Sequence, residues 1–149
     1  MTQGDRAFEP VYQRLRGILE PYAMKMHVST DAEGMYGVDM APESERNPTT
    51  WFGGVRRGKQ YVSYYLMPVY VEPALLDDVS PELRKRMQGK SCFNFRWIDE
   101  RLFAELEDLT KRGFERTAGR AAWGVEKREE HDMAYRTAMS RERKKRGDD

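Results

Sequence analysis

Five side chains between positions 50 and 67 are of the types that hold a flat or anionic partner. Phe52, Tyr61 and Tyr65 are aromatic, Arg56 and Lys59 are cationic, and they fall on two neighbouring runs of β-prone residues. Rings interleaved with cations stack bases and neutralise phosphates on single-stranded nucleic-acid platforms, and the same set can line a small-molecule pocket. Further on, Gly89-Lys90-Ser91 invites comparison with a phosphate-binding loop, but the full spacing of such a loop is missing and a strand follows it rather than a helix. Lys90 and Ser91 are therefore carried as ligand-binding candidates, and Gly89 as the residue that turns the chain.

Cys92 is the sole cysteine, so no disulfide can form within the chain and a cysteine-based zinc site is excluded. Lys90 would lower the Cys92 pKa if both faced a cleft; the ordinary reading of Cys92 is a buried, inert thiol. An enzyme would need Cys92 or a tyrosine activated in a closed pocket. Because no coherent set of nucleophile, base and oxyanion donors is legible, binding is expected rather than catalysis. His27 and His131 are far apart, and neither has a ligand-spaced partner. Hard cations want clustered carboxylates. The densest groups are Glu72, Asp77 and Asp78, then Glu105, Glu107 and Asp108, of which Glu105 and Asp108 are the metal candidates.

Elements must position these groups. Phe8, Val11, Tyr12, Leu15, Ile18, Leu19 and Tyr22 recur at helical spacing and predict an amphipathic helix over 6–22 that covers a sheet. Met24, Met26 and Val28, then Tyr36, Val38 and Met40, alternate about a turn at 31–34 and predict a first hairpin. A second hairpin pairs 50–56 with 59–67. With a loop of two or four residues, Trp51, Val55, Val62, Tyr64 and Leu66 share a core face, and Phe52, Arg56, Lys59, Tyr61, Ser63 and Tyr65 share the other. Gly53 and Gly54, adjacent in a strand, signal a bulge, a bend or a close approach by a backbone or ligand. Ser80-Pro81 predicts a short capped helix. A last strand follows, with Cys92 and Asn94 opposite Phe93 and Phe95, and then a closing helix capped by Asp99, with Leu102, Phe103, Leu106 and Leu109 inward and Gly113 as its terminator. The aromatic and basic face is either left open or covered by residues 69–88 as a second core.

The 149 residues, 39% apolar and 34% charged, suffice for one core. The net charge of +1 hides an asymmetry: residues 136–149 hold six basic and three acidic side chains, a local +3, which leaves −2 for the remainder. The basic end, Arg141 to Arg146, would add nonspecific phosphate affinity or serve as a solvated or partner-docking helix. No apolar run has the length of a signal peptide or membrane span, so a cytoplasmic protein with no membrane association is expected.

The stretch Trp51-Phe52-Gly53-Gly54-Val55, then Tyr61-Val62-Ser63-Tyr64-Tyr65-Leu66-Met67-Pro68, then Gly89-Lys90-Ser91-Cys92-Phe93-Asn94-Phe95, resembles the YdhG-like family, a bacterial domain of unknown function. The resemblance spans about Phe8 to Phe114. It implies an α+β fold over 6–116, an antiparallel sheet with an N-terminal and a closing helix packed on it, followed by a charged, helical or partly disordered tail over 117–149. Some members are described as frataxin-like iron chaperones, which implies iron held by an acidic ridge on the first helix and edge strand. Here that helix carries Asp5, Glu9 and Glu20 but also Arg6, Arg14 and Arg16, a mixed face. No other cofactor is suggested. The functional expectation is a non-enzymatic module binding a small ligand or protein partner, with iron delivery and weak single-stranded nucleic-acid binding as alternatives.

Overall fold

The computed structural model describes residues 3–40, 51–117, 137, 138 and 141. The chain begins with α1 (Gln3–Ala23), followed by the strands β1 (His27–Ala32), β2 (Met35–Asp39), β3 (Trp51–Arg57) and β4 (Val62–Leu66). Three short helical pieces come next: α2 (Met67–Val71), a 3-10 turn (Pro73–Leu76) and α3 (Pro81–Arg84). The strands β5 (Met87–Gln88) and β6 (Cys92–Phe95) and the helix α4 (Glu100–Thr117) complete the described body. All six strands form one antiparallel sheet in the order β1-β2-β3-β4-β6-β5. This is the α+β architecture expected. Among the described residues, no helix is long and apolar enough to cross a membrane.

The core lies between one face of the sheet and the α1/α4 layer. Val11, Tyr12, Leu15, Ile18 and Leu19 of α1 and Leu102, Phe103, Leu106 and Leu109 of α4 pack on Val55, Val62, Tyr64, Leu66, Phe93 and Phe95 of the sheet. Ion pairs fix the layer from outside. Arg14 grips Glu100 through two parallel contacts of 2.9 Å and reaches Glu107 at 2.8 Å, tying α1 to α4; that pairing holds the exposed Glu100 carboxyl below the usual carboxylate range. Buried Arg57, at the end of β3, bonds Glu9 and lies 3.6 Å from Asp5 and 3.4 Å from Glu33, so one guanidinium joins the start of α1 to the β1–β2 turn.

Inside the core, the Tyr64 hydroxyl meets the Thr110 hydroxyl at 2.6 Å, and both residues are fully buried. Burial pushes the Tyr64 hydroxyl pKa up, because the phenolate could not be solvated there. Tyr64→Phe strands the Thr110 hydroxyl and is expected to cost about 1–3 kcal/mol. The double variant Tyr64→Phe/Thr110→Val removes both polar groups and should recover most of that loss in urea unfolding. If the double variant proved as unstable as the sum of its singles, the hydroxyl pair would not be the cause.

Several expectations are corrected. Met24 and Met26 do not open β1: Lys25 N–H donates to the Tyr22 carbonyl and Met26 N–H to that of Ala23, which closes α1 with a turn, and Met24 is 93% exposed. Gly113 does not end α4, which continues to Thr117. A Cβ on Gly113 would lie 3.0 Å from the Pro68 side chain, so the residue is small because α2 crosses α4 there. Residues 69–88 do not form a second core over the aromatic face. Val69, Leu75, Leu76, Val79 and Leu83 join the main core beside α4 instead. Ser80 does cap α3 as expected, accepting from Leu83 N–H at 3.1 Å. Of the tail over 117–149, only Thr117 and the helical Thr137, Ala138 and Arg141 are described; His131 lies outside the described residues.

Candidate functional site

The outer face of the central strands, away from α1 and α4, carries a cavity of about 590 Å³. That is within the range of small-molecule sites. Register explains which side chains reach it. Arg56 of β3 pairs with Ser63 of β4, which pairs with Asn94 of β6; one row along, Gly54 pairs with Tyr65, which pairs with Cys92. Same-face residues on a strand are separated by roughly 7 Å, so these rows form successive steps across the floor. Beyond the second row lie Trp51 and Met67, which with Tyr65 form a small buried cluster of their own.

The four-residue loop 58–61 has the even length that keeps Val55, Val62, Tyr64 and Leu66 on the core face and Arg56, Ser63 and Tyr65 on the other. The expectation fails at the start of β3. Val38 pairs with Gly53 but Asp39 pairs with Trp51, so one extra residue enters β3 at Phe52. Such a bulge reverses the alternation beyond it. Phe52 therefore points into the main core, 6.1 Å from the Tyr22 ring and edge-on to Phe114 at 6.2 Å, while Trp51 takes the place on the cavity side. The Trp51 ring stacks at a tilt on Tyr65, with centroids 5.2 Å apart, and covers Gly54: a Cβ there would lie 2.9 Å from the indole.

Of the other candidates, Arg56, Tyr61, Tyr65, Lys90 and Ser91 all line the cavity. Lys59 does not; it is exposed in the loop 58–61, beyond the ladder that aims side chains at the floor. Trp51, Met67, Tyr70, Gln88 and Cys92, none of them a ligand candidate from the sequence, also line the cavity, as does Arg141, expected only as part of a basic end with nonspecific phosphate affinity. Gly53-Gly54 was the available signal for Trp51, since it announced the bulge. Tyr70 had none, and the basic run that marks Arg141 does not say that it reaches this face, because only the path of the chain brings them here.

The polar end of the floor is a chain of hydrogen bonds across four strands. Arg56 Nε donates to the Tyr65 hydroxyl at 3.2 Å and its Nη2 reaches Ser63 Oγ at 3.5 Å. Ser63 in turn donates to Asn94 Oδ1 at 2.7 Å, and Asn94 Nδ2 to Gln88 Oε1 at 2.7 Å, an oxygen that also accepts from Tyr61 at 3.4 Å. The Lys90 ammonium, two residues beyond Gln88, stands over the Tyr70 ring, 5.7 Å from its centre. Gly89, at φ +77°, makes the turn that brings Lys90 and Ser91 there. Arg56, Lys90 and Arg141 all line the cavity, and its described lining contains no Asp, Glu or His.

Two titratable groups on the floor are held neutral. Burial pushes the Cys92 thiol up, against the opposing pull of Ser63 and the Arg56 charge. Burial likewise raises the Tyr65 hydroxyl, and the neighbouring Cys92 adds to this. This shift is opposite in sign to the one that an activating Lys90 would give, and Cys92 Sγ donates to Asn94 Oδ1 at 3.3 Å.

The metal candidates are engaged elsewhere. Glu105 accepts from the Ser80 N–H at 2.8 Å and from its hydroxyl at 2.6 Å, anchoring the start of α3 to α4, and Asp108 pairs with Arg112 at 2.8 Å. Both border a shallow recess that also holds the Arg112 cation. Among the described residues, no three His, Cys, Asp or Glu side chains converge as a metal site would require.

In comparison with known proteins, the chain matches no family model, no curated protein and no solved structure.

Proposed function

We infer that the chain is a non-enzymatic binding module that holds a small ligand in the cavity on the outer face of its sheet. The observation that carries this reading is the construction of the cavity. Stacked rings and a cross-strand hydrogen-bond chain stand on four paired strands, so the lining is set before a ligand arrives and little ordering free energy is lost on binding. Binding is favoured over catalysis by the state of the titratable groups. A nucleophile or general base must be deprotonated near the working pH, whereas burial keeps Cys92 and Tyr65 protonated.

Two measurements test the reading. Ring-bearing fragments added to isotopically labelled protein should move the signals of Trp51, Tyr65 and Cys92 together in a saturable way; a broad panel that leaves all three in place would remove the proposed site. Cys92 alkylation followed against pH should have a midpoint above the ordinary thiol value of about 8.5. The sign follows from burial, which penalises the thiolate, so the folded protein reacts more slowly than free cysteine until the solution is alkaline. A midpoint below the ordinary value would favour an enzyme built on Cys92.

A further inference from the structure

Among the described residues the large exposed apolar side chains are Met24, Val28, Trp97 and Ile98, and the last two are neighbours in the loop between β6 and α4, 56% and 44% exposed. Single exposed apolar residues are ordinary, whereas an adjacent pair of this size marks a contact surface. Strand pairing sets a second segment beside that loop. Met87 pairs with Phe93 and Asn94 N–H donates to the Arg86 carbonyl at 2.8 Å, so the chain entering β5 through Arg84, Lys85 and Arg86 runs alongside the chain leaving β6 through Arg96 and Trp97. The two segments touch: the Arg86 guanidinium stands over the Trp97 ring, 5.3 Å from its centre. Arg101 follows three residues after Ile98, exposed in the first turn of α4. This face lies at the open end of the β5–β6 hairpin and shares no residue with the cavity, which the hairpin's turn lines.

Five cations thus border two apolar side chains. Arg84 donates to the Leu76 carbonyl, and among the described residues Lys85, Arg86, Arg96 and Arg101 form no ion pair. The neighbouring carboxylates are engaged: Arg14 grips Glu100, and Asp99 accepts from the Leu102 N–H at 3.2 Å. The five carry +5, and since residues 1–135 as a whole carry −2, the rest of that stretch carries −7. A patch opposite in sign to its surroundings selects an anionic partner.

The apolar pair narrows the class. A nucleic-acid strand offers bases to Trp97 and phosphates to the cations but little to Ile98. A bilayer surface is wider than the patch and would bring its headgroups against Asp77, Asp78 and Glu82, which are exposed just before it along the chain. We propose that this face docks an acidic segment of a partner protein. Its Asp and Glu side chains meet Lys85, Arg96 and Arg101, and one apolar side chain packs on Trp97 and Ile98. Trp and Arg are the side chains that most often carry the binding energy of such contacts, and the Arg86 cation already fixes one face of the Trp97 ring, so little order is lost on docking.

The full chain is titrated with short synthetic peptides in which Asp and Glu flank a central Leu-Phe pair, followed by calorimetry and by the Trp97 indole resonance. Saturable binding is expected, weakened about tenfold by Trp97→Ala, the scale of one anchor residue, and about as much by exchanging Leu-Phe for Ser-Ser in the peptide. Arg96→Glu and Arg101→Glu should each weaken it severalfold and blunt its loss with salt. All three residues are exposed, so the unfolding midpoints of these variants should match the parent. Equal binding of a peptide with Asn and Gln in place of Asp and Glu overturns the role of charge, and equal binding of the Ser-Ser peptide overturns the apolar anchor. Tighter binding of a thymidine dodecamer or of phosphatidylserine vesicles assigns the face to nucleic acid or to a membrane surface and overturns the proposal. A sedimentation coefficient that rises with protein concentration, and no longer does so in Trp97→Ala, assigns it to a second copy instead. Absence of any peptide-induced change at Trp97 also overturns it, and leaves the cavity reading standing because no part of the cavity is probed.

Discussion

Phe52→Ala is expected to destabilise the protein by about 3–5 kcal/mol, the cost of emptying a large aromatic site from a packed core. Phe52 has no exposed surface and stands among Tyr22, Phe114 and the apolar face of α1. The prediction distinguishes two pictures of one strand. Had β3 kept its alternation to the end, Phe52 would lie on the cavity side, and its loss would be felt mainly in ligand affinity. With the bulge, the loss appears as a lower urea midpoint, and Trp51→Ala is the variant that alters the cavity. A Phe52→Ala protein within about 0.5 kcal/mol of the parent, the usual scale of surface substitutions, would place the ring outside the core and refute the bulged register.

Gly53→Ala is the second large effect, expected at about 3 kcal/mol, the upper end of overpacking costs. A Cβ at Gly53 would lie 2.7 Å from the Tyr65 carbonyl oxygen and 3.3 Å from the Leu19 side chain. The first neighbour is backbone in the β3–β4 ladder and cannot swing aside as a flexible side chain does. Gly17 gives the opposite sign. It lies in α1, is exposed, and a Cβ there meets nothing within 4 Å. Gly17→Ala should therefore stabilise by about 0.5–1 kcal/mol through helix propensity alone. Thermal or urea unfolding of the two variants side by side checks both: a neutral Gly53→Ala would mean that β3 and β4 lie farther apart than their pairing requires.

What was legible from the residues was whatever short-range periodicity encodes. The 3.6-residue stripes announced α1 and α4, and the alternation of Cys92 and Asn94 against Phe93 and Phe95 announced β6. The even loop placed Arg56 and Tyr65 together on the outer face. These patterns are local, because a side chain's direction relative to its neighbours follows from the backbone repeat of its own element.

The remainder depended on pairings between distant parts of the chain. Where β3 gains its extra residue is decided by its partner β2, whose Asp39 pairs with Trp51 while Val38 pairs with Gly53, and one inserted residue exchanges Phe52 for Trp51 at the site. Residues 69–88 contain enough apolar side chains to cover either face of the sheet; the free space beside α4 took Val69, Leu75 and Leu83 and left the outer face for the cavity. Gly113 carries the composition of a helix terminator yet serves a helix crossing, since only the approach of Pro68 tells the two apart. Sequence by itself thus determined the layers and most of the inward faces, since each element's own repeat encodes them. Tertiary structure alone decided which ring and which cations meet in the cavity, because that meeting depends on register and on the path of the chain between elements.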